Sequence, residues 1–235
     1  MQKKGQITFF IILGLAIIFS LMFYFAIYQT SLADKPMLPV TDVSGITECS
    51  NRMFIDTLNL LSYQGGYLNL PDNSVDTLFG KIPVYLENKI LNMPSEEVLK
   101  KSLSRQISIL AEDCLAKNMK PLGEDIITDI MLNANEASAT INYPYVIMQG
   151  DKQRVTPLIN VKSQARILTF YNVVKQIIDE IKNEPMIVPA SFLFDLEEKY
   201  NFDIETYWEE NLVFYFITEI NPESEKLTWM FAVRK

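Results

Sequence analysis

The longest hydrophobic pattern in the chain is an uncharged apolar run from Ile7 to Tyr28. As a helix it would be roughly 33 Å long, against about 30 Å for the hydrocarbon core of a bilayer. Lys3 and Lys4 precede the run, and the first charge after it is Asp34. By the positive-inside rule, we expect residues 7–28 to cross the lipid bilayer once, with the N-terminus in the cytoplasm and the bulk of the chain outside.

A cleaved secretory signal is the alternative interpretation of this run. Ser31-Leu32-Ala33 resembles a small-x-small cleavage site, which would release a domain that begins at Asp34. The run is longer than the roughly 7–15 apolar residues of such signals, and this favours a retained anchor. Either interpretation exports the remainder of the chain.

Two helical patterns follow, and each contains one cysteine. The first apolar stripe consists of Ile46, Cys49, Met53, Leu60 and Leu61, and its helix is predicted to end at Gly65-Gly66. The second consists of Leu99, Leu103, Ile107, Leu110 and Cys114, in a helix opened by Ser95, Glu96 and Glu97. Because both thiols face the core in an oxidising compartment, a Cys49–Cys114 disulfide is favoured over two separate buried thiols.

Two hairpins are predicted between the helical segments. Tyr67–Leu70 and Lys81–Leu86 are expected to form a small one. The second turns at Gly150-Asp151, between alternating apolar residues that extend from Ile141 to Val161. Its Pro144 and Pro157 would be a non-hydrogen-bonded pair, so we expect the prolines to leave this hairpin unbroken but to require a sheet edge or a bulge on each side of it.

The C-terminal part is predicted to form two helices and three strands. The helices are an amphipathic one from Ile167 to Ile181 and a shorter one from Pro189 to Tyr200, with Asn201 at its exit. The strands are Phe202–Tyr207, Leu212–Ile220 and Leu227–Arg234. The second strand is apolar on both sides up to Ile217, which indicates a central strand covered on both faces or, alternatively, a strand that meets another chain.

These patterns predict an α+β protein in three parts. Residues 1–31 are the basic start and transmembrane anchor. Residues 32–122 form a mainly helical, disulfide-bridged subdomain with a short hairpin. Residues 123–235 form a subdomain in which an antiparallel sheet packs with one or two helices.

The composition of the 235 residues excludes several chemistries. The chain has no histidine, which removes histidine-based nucleophile systems and histidine-ligated zinc or haem. Two cysteines cannot form a four-cysteine metal site. The 29 acidic residues outnumber the 21 basic ones, and a negative surface repels nucleic acid. We therefore expect no cofactor, no metal site and no nucleic-acid partner.

Carboxylates are the remaining candidates for catalysis. The acid pairs are Glu197 with Glu198, Asp203 with Glu205, and Glu209 with Glu210. Two carboxylates about 5 Å or about 6.5–9.5 Å apart could hydrolyse a glycosidic bond, but neighbouring acids on exposed elements are usually solvated. A loop that begins with Asp72-Asn73-Ser74-Val75-Asp76 has no glycine at its sixth place and no glutamate at its twelfth, so it is not a full EF-hand calcium loop. We expect no catalytic residue.

Lys3-Lys4-Gly5-Gln6 stands directly before the apolar run. This start resembles the class III signal of archaeal type IV pilin-like precursors. The resemblance implies that a prepilin-peptidase-like enzyme cleaves between Gly5 and Gln6 and that the apolar helix is retained. The segments Gln64–Tyr67 and Phe231–Lys235 are also similar to those of an uncharacterised group of archaeal membrane-anchored surface proteins.

Two departures from the pilin pattern favour a tethered domain over a packed filament subunit. Phe10 stands where many filament-forming pilins carry glutamate. Pro36 and Pro39 would end or kink a helix close to the membrane.

The sequence thus predicts a single-pass, membrane-anchored extracytoplasmic protein that serves as a non-enzymatic surface or assembly component. Its folded head, the part after the anchor, would bind a protein partner or associate with itself. A type IV pilin-like filament subunit and a carboxylate-dependent extracytoplasmic enzyme are the alternatives.

Overall fold

The structure is a computed structural model that describes residues 43–115, 119–121, 125–149, 152–155, 158–183, 188–220 and 226–234. These residues belong to one compact unit, Val40–Lys235. The predicted anchor at residues 7–28 and the predicted processing site at Gly5 and Gln6 lie outside the described residues. Among the helices within those ranges, none has the length and apolar character needed to cross a membrane.

The described part of the chain is α+β. Its helices are α1 (Val43–Tyr63), α2 (Glu96–Leu110), α3 (Ile167–Asn183) and α4 (Ala190–Tyr200), with a 3₁₀ turn at Ala111–Cys114. Its first strands are β1 (Ser74–Thr77), β2 (Gly80–Glu87), β3 (Ile90–Leu91), β4 (Met119–Pro121), β5 (Ile127–Leu132) and β6 (Ala137–Asn142). The later strands are β7 (Tyr145–Gln149), β8 (Lys152–Val155), β9 (Ile159–Ser163), β10 (Phe202–Glu209), β11 (Leu212–Glu219) and β12 (Thr228–Arg234).

The largest sheet has six strands in the order β1-β2-β12-β11-β10, with β3 paired to β2. Strands β2 and β12 are parallel, and the other neighbours are antiparallel. Because β2 and β12 come from the two predicted subdomains, both subdomains contribute to one sheet. Two three-stranded sheets, β4-β7-β8 and β5-β6-β9, accompany it.

The main core lies between the helices and one face of the six-stranded sheet. Trp229 and Phe231 of β12 are fully buried there. The Phe231 ring stacks between Tyr85 and Tyr215, with centroid distances of 4.9 Å on both sides. Phe170 of α3 stacks on Phe202 at 4.5 Å, which attaches this helix to β10. The opposite face carries a smaller buried cluster of Ile82, Val84, Phe214, Met230 and Ala232.

Helix α1 ends at two glycines that also contact the sheet. Gly65 and Gly66 have φ values of +58° and +77°, and their amides donate to the carbonyls of Ser62 and Leu61 in a Schellman arrangement. A Cβ on Gly65 would lie 2.3 Å from the carbonyl oxygen of Met230. Glycine is therefore required both by the left-handed backbone and by the close approach of β12.

A hydrogen-bonded chain extends from these glycines into the core. The indole Nε1 of Trp229 donates to the Tyr85 hydroxyl at 3.1 Å, and that hydroxyl donates to the carbonyl of Gly65. Burial raises the pKa of Tyr85 well above its ordinary value, so the hydroxyl keeps its proton. The end of α1 is thereby connected to both β2 and β12.

Cys49 and Cys114 form a disulfide, with Sγ atoms 2.07 Å apart and Cα atoms 5.6 Å apart. It joins α1 to the 3₁₀ turn that follows α2. The hydroxyls of Ser50 and Tyr143 lie 2.8 Å apart beside it and are buried. This part of α1 is thus attached to the 3₁₀ turn by a covalent bond and to the segment after β6 by a hydrogen bond.

The predicted hairpin between Tyr67–Leu70 and Lys81–Leu86 is wrong in its first strand. Residues 67–70 are not a strand, and β2 pairs instead with β1 at Ser74–Thr77. The Tyr67 hydroxyl donates to the carbonyl of Asn92, and the Tyr67 ring meets Tyr85 edge-on at 6.3 Å. Tyr67 is therefore packed on the sheet by its side chain instead of being paired through its backbone.

The predicted stripe on α1 is wrong at Leu60. This side chain is 44% exposed, whereas its neighbour Leu61 is fully buried. Adjacent helical residues point about 100° apart, so one of the two leucines must leave the core.

The prediction that the second hairpin is unbroken is wrong at Pro144. Its inner part, β7–β8, has the predicted register, with Val146 opposite Val155. Farther from the turn, β6–β9 pairs Ile141 with Ile159, which is a shift of one residue. Pro144 separates β6 from β7, and the Tyr145 amide bonds to the Tyr143 carbonyl at 2.8 Å across it. This local turn replaces a ladder bond and divides the hairpin between two sheets. Gly150, Asp151 and Pro157 lie outside the described residues.

The remaining C-terminal predictions are confirmed. The apolar stripe of α3 is buried, and α4 ends at Asn201, whose φ is +55°. The three strands occur as β10, β11 and β12, and β11 lies between the other two. The buried side chains of β11 alternate between the main core, as at Val213, and the smaller cluster, as at Phe214.

We expect Gly65→Ala to lower the free energy of unfolding by about 3 kcal/mol or more, because it adds a clash with Met230 to the strain of the left-handed backbone. Gly80→Ala is the matched control. Gly80 also has a positive φ, of +104°, but its Cβ would have only Tyr63 as a neighbour, at 4.0 Å. Gly80→Ala should lower the free energy of unfolding by about 1–2 kcal/mol, because it adds only the strain of the left-handed backbone. Equal losses in urea titrations of the two variants would contradict this account.

Removal of the disulfide by Cys49→Ser/Cys114→Ser should destabilise the head by roughly 4 kcal/mol, because the unfolded chain loses a cross-link between residues 65 apart in sequence. The measurement is the urea midpoint with and without a thiol reductant. The wild type should shift on reduction and the double variant should not. A wild-type urea midpoint that is the same with and without the reductant would contradict the presence of the disulfide.

Candidate docking surface

The predicted acid pairs do not converge on a catalytic pocket. Glu197 is occupied structurally, because its Oε1 accepts the backbone N–H of Ile204 at 2.8 Å. The other acids of the pairs are solvent-exposed on α4, on β10 or in the turn after β10: Glu198, Asp203, Glu205, Glu209 and Glu210. The described residues contain no group of three or more cysteine, aspartate or glutamate side chains that could hold a metal ion.

The most distinctive surface is a row of aromatic side chains on the sheet face opposite the helices. We define the aromatic strip as Phe79, Phe216, Phe214 and Tyr207. Phe79 meets Phe216 edge-on at 5.4 Å, and Tyr207 lies 6.3 Å from Phe214. Phe79 and Tyr207, at the two ends, are each 58% exposed. Exposed aromatic rings that continue a buried cluster are typical of a surface that another molecule covers.

The β1–β2 turn holds one end of the strip in place. The Thr77 hydroxyl donates to the Gly80 carbonyl at 2.8 Å and accepts the Phe79 amide at 3.1 Å. The Tyr63 hydroxyl, at the end of α1, donates to the Phe79 carbonyl at 2.6 Å. These bonds fix a turn whose first residue, Leu78, is fully exposed.

The other end of the strip lies on β10, an outermost strand of the sheet among the described residues. Because the Ile204 amide bonds to Glu197, it points away from β11. Backbone direction alternates along an antiparallel strand, so the Thr206 amide also points to the open edge. Helix α4 therefore protects the edge at Ile204, whereas residues 205–209 are exposed.

The exposed half of β10 carries negative charge on the same face as Tyr207. Glu205 lies opposite Phe216, and Glu209 lies opposite Leu212, so both flank the ring along the strand. The ion pairs within the described residues involve neither of these glutamates. Within the part of the chain that the structure describes, the surface therefore combines exposed rings, carboxylates outside these ion pairs and an outermost strand.

One carboxylate that the sequence patterns did not single out is buried. Glu219, at the end of β11, is 4% exposed, and its Oε1 is 3.6 Å from the guanidinium of Arg166. That guanidinium also lies 4.8 Å from the centre of the Phe202 ring. Burial raises the pKa of Glu219, and the nearby Arg166 opposes this in part. The pair connects the start of α3 to the sheet and has a structural role.

Comparisons with protein-family models, with curated proteins and with solved structures found no match to this chain. Its function is therefore inferred from its sequence and from this surface.

The raised pKa of Glu219 predicts a pH dependence of stability. Between the ordinary pKa of 4.5 and the raised value, the folded state binds more protons than the unfolded state, so stability should fall as pH rises through this window. The effect is about 1.4 kcal/mol for each unit by which the pKa is raised. Glu219→Gln should remove this dependence of stability on pH. The exposed Glu205→Gln is the control and should show the same dependence as the wild type. Urea titrations from pH 4 to 7 test this, and identical profiles for the wild type and Glu219→Gln would refute it.

Proposed function

We propose that the chain is a single-pass, membrane-anchored extracytoplasmic protein that acts as a non-enzymatic surface or assembly component. The apolar run at residues 7–28, preceded by Lys3 and Lys4, carries the proposal. Its length matches the hydrocarbon core of a bilayer, and the flanking lysines favour a cytoplasmic N-terminus. The head would then fold outside the cell membrane.

The disulfide supports this location. Cys49 and Cys114 are the only cysteines of the chain and are joined to each other. Structural disulfides persist in oxidising compartments and are rare in the cytosol. The disulfide in the head thus agrees with the extracytoplasmic location that Lys3 and Lys4 favour.

The aromatic strip, whose end rings Phe79 and Tyr207 are exposed, supports a binding role for the head. Its rings at Phe79 and Tyr207 are presented by a hydrogen-bonded turn and a sheet edge, both part of the folded scaffold. Such a surface suits a protein partner or self-association better than a chemical step, which would need convergent reactive groups. Presentation of this surface outside the membrane is the mechanism we propose.

A type IV pilin-like filament subunit is the second candidate. The start Lys3-Lys4-Gly5-Gln6 favours it, because cleavage after Gly5 by a prepilin-peptidase-like enzyme would leave the apolar helix at the new N-terminus. Phe10, Pro36 and Pro39 argue against tight packing of that helix in a filament. The mass of the native protein decides whether processing occurs.

We expect the native protein to stay in the membrane pellet after carbonate extraction and its head to be digested when intact cells are treated with protease. Ile17→Arg/Ile18→Arg should weaken retention, since each arginine at the centre of a span costs about 2.5–3.5 kcal/mol. Gln29→Arg/Thr30→Arg adds the same charge just outside the run and is the control for carbonate retention only, because arginines at that end oppose the orientation that Lys3 and Lys4 favour.

The mass of the membrane-extracted chain separates the alternatives. An N-terminus at Gln6 would support pilin-like processing. An N-terminus at Met1 would support an uncleaved anchor, and an N-terminus at Asp34 would support a released domain. Thiol alkylation should add mass only after reduction. A cytosolic protein with both thiols reduced would refute the proposed function.

A further inference from the structure

We propose that an exposed apolar patch on the head, formed by Leu60, Tyr63, Leu78 and Phe79, inserts into the headgroup region of a lipid bilayer. We call these four residues the apolar tip. The proposal rests on the proposed membrane anchor, which would keep the head beside lipid. It goes beyond the proposed function, because it adds a second contact with the bilayer that the folded head itself makes. The rest of the aromatic strip, towards Tyr207, stays available to a protein partner.

Two elements bring the side chains of the apolar tip together. Leu60 and Tyr63 are one turn apart on α1, and both are exposed. Leu78 and Phe79 are the two residues of the β1–β2 turn, and both are exposed as well. The Tyr63 hydroxyl donates to the Phe79 carbonyl at 2.6 Å, which holds the helix end against the turn. The four side chains therefore form one apolar patch.

The shape of the apolar tip suits a fluid surface. Leu78 is fully exposed at the end of a hairpin, so its side chain projects from the head. A bilayer adapts to a projecting side chain, whereas a protein partner would need a matching pocket. The hydrogen bonds that Thr77 makes to Phe79 and Gly80 already fix the turn, so little conformational entropy is lost on insertion. Leucine, phenylalanine and tyrosine are residue types that enter the membrane interface.

The length of the chain ahead of α1 favours lipid as the occupant. The predicted span ends at Tyr28 and α1 begins at Val43, so fourteen residues separate them. Fourteen residues extend to roughly 50 Å at most, and α1 is about 30 Å long. Such a tether confines the head to the neighbourhood of the bilayer and is long enough to let the Tyr63 end of α1 reach it. Because the local concentration of lipid is then high, a weak affinity of the apolar tip is sufficient.

The charges beside the apolar tip indicate which lipid it contacts. Asp76 Oδ1 and Lys81 Nζ lie 4.0 Å apart at the base of the turn, so these opposite charges compensate each other. The chain as a whole has 29 acidic against 21 basic residues, which disfavours an anionic surface. The attraction must therefore come from the burial of apolar side chains. We expect insertion into zwitterionic lipid, with no requirement for anionic lipid.

The test uses the full-length protein reconstituted into phosphatidylcholine vesicles whose brominated acyl chains quench nearby tryptophans. Leu78→Trp places a probe in the apolar tip. Phe194→Trp is the matched control, because Phe194 is also exposed but lies on α4, which packs on β10. Among the described strands, β1 and β10 are at opposite ends of the six-stranded sheet.

The emission of the native Trp208 and Trp229 is measured in the wild type and subtracted. We expect brominated lipid to quench most of the emission that Leu78→Trp adds, because the probe would lie in the bilayer interface. It should quench little of the emission that Phe194→Trp adds.

A second pair of variants tests whether α1 contributes to the insertion. Leu60→Glu combined with Leu78→Trp places a charge beside the probe and should remove most of the quenching, since a charge is costly to bury in lipid. Ile109→Glu combined with Leu78→Trp adds the same charge at an exposed position on α2 and should leave the quenching unchanged. Both glutamates replace exposed side chains, so the near-ultraviolet circular dichroism should match that of Leu78→Trp.

Several results would overturn the proposal. Equal quenching of Leu78→Trp and Phe194→Trp, or equal effects of the two glutamates, would show that the apolar tip is not the site of contact. A blue shift of Leu78→Trp that grows with the protein-to-lipid ratio, without quenching, would identify a second copy as the occupant. Quenching that requires added phosphatidylglycerol would show attraction by charge.

Carbonate extraction reports on the anchor separately. A protein that resists extraction while its Leu78→Trp probe stays unquenched would refute the insertion of the apolar tip and leave the proposed function standing. A protein that carbonate removes from the vesicles would refute both.

Discussion

The contact between the end of α1 and strand β12 is the constraint on which the rest of the head depends. Gly65 brings the backbone against the Met230 carbonyl, and Tyr85 joins this point to Trp229. Because β2 and β12 are parallel neighbours, the same contact aligns strands that are far apart in sequence. The helices α3 and α4 then cover one face, and the opposite face is left to present the aromatic strip. The proposed binding surface thus follows from the way in which the core packs on one face of the sheet.

Elements whose signals are local could be predicted from the sequence. The stripe of α3, the left-handed exit at Asn201 and the strands β10–β12 depend on spacing and turn chemistry within a few residues of one another. The disulfide was predictable because both cysteines lie on apolar stripes. The pairing of β2 with β12 could not be predicted, since no local feature of Val84 indicates Ala232 as its neighbour. The turn at Pro144 was missed for a related reason, because register across a hairpin depends on both strands.

The candidate surface was predictable only in part. The glutamates around Tyr207 stand out in the sequence as acid pairs, but their meaning changes once β10 is an outermost strand with no partner on its other side among the described residues. The role of Glu197 as a protector of the Ile204 amide also depends on where α4 packs. The order of strands in a sheet is a non-local property. Only when it is known do the glutamates of β10 become candidates for partner recognition instead of candidates for catalysis.

The Cys49–Cys114 bridge also determines how the head would respond to mechanical load. A pull on the chain ahead of α1 meets the bridge shortly after Val43, and tension then passes through sulfur directly to the 3₁₀ turn. Residues 50–113, which include the glycine turn, β1–β3 and α2, form a loop outside this path. If the head is tethered as proposed, the backbone of residues 50–113 would carry no load from the tether until the bridge itself is reduced.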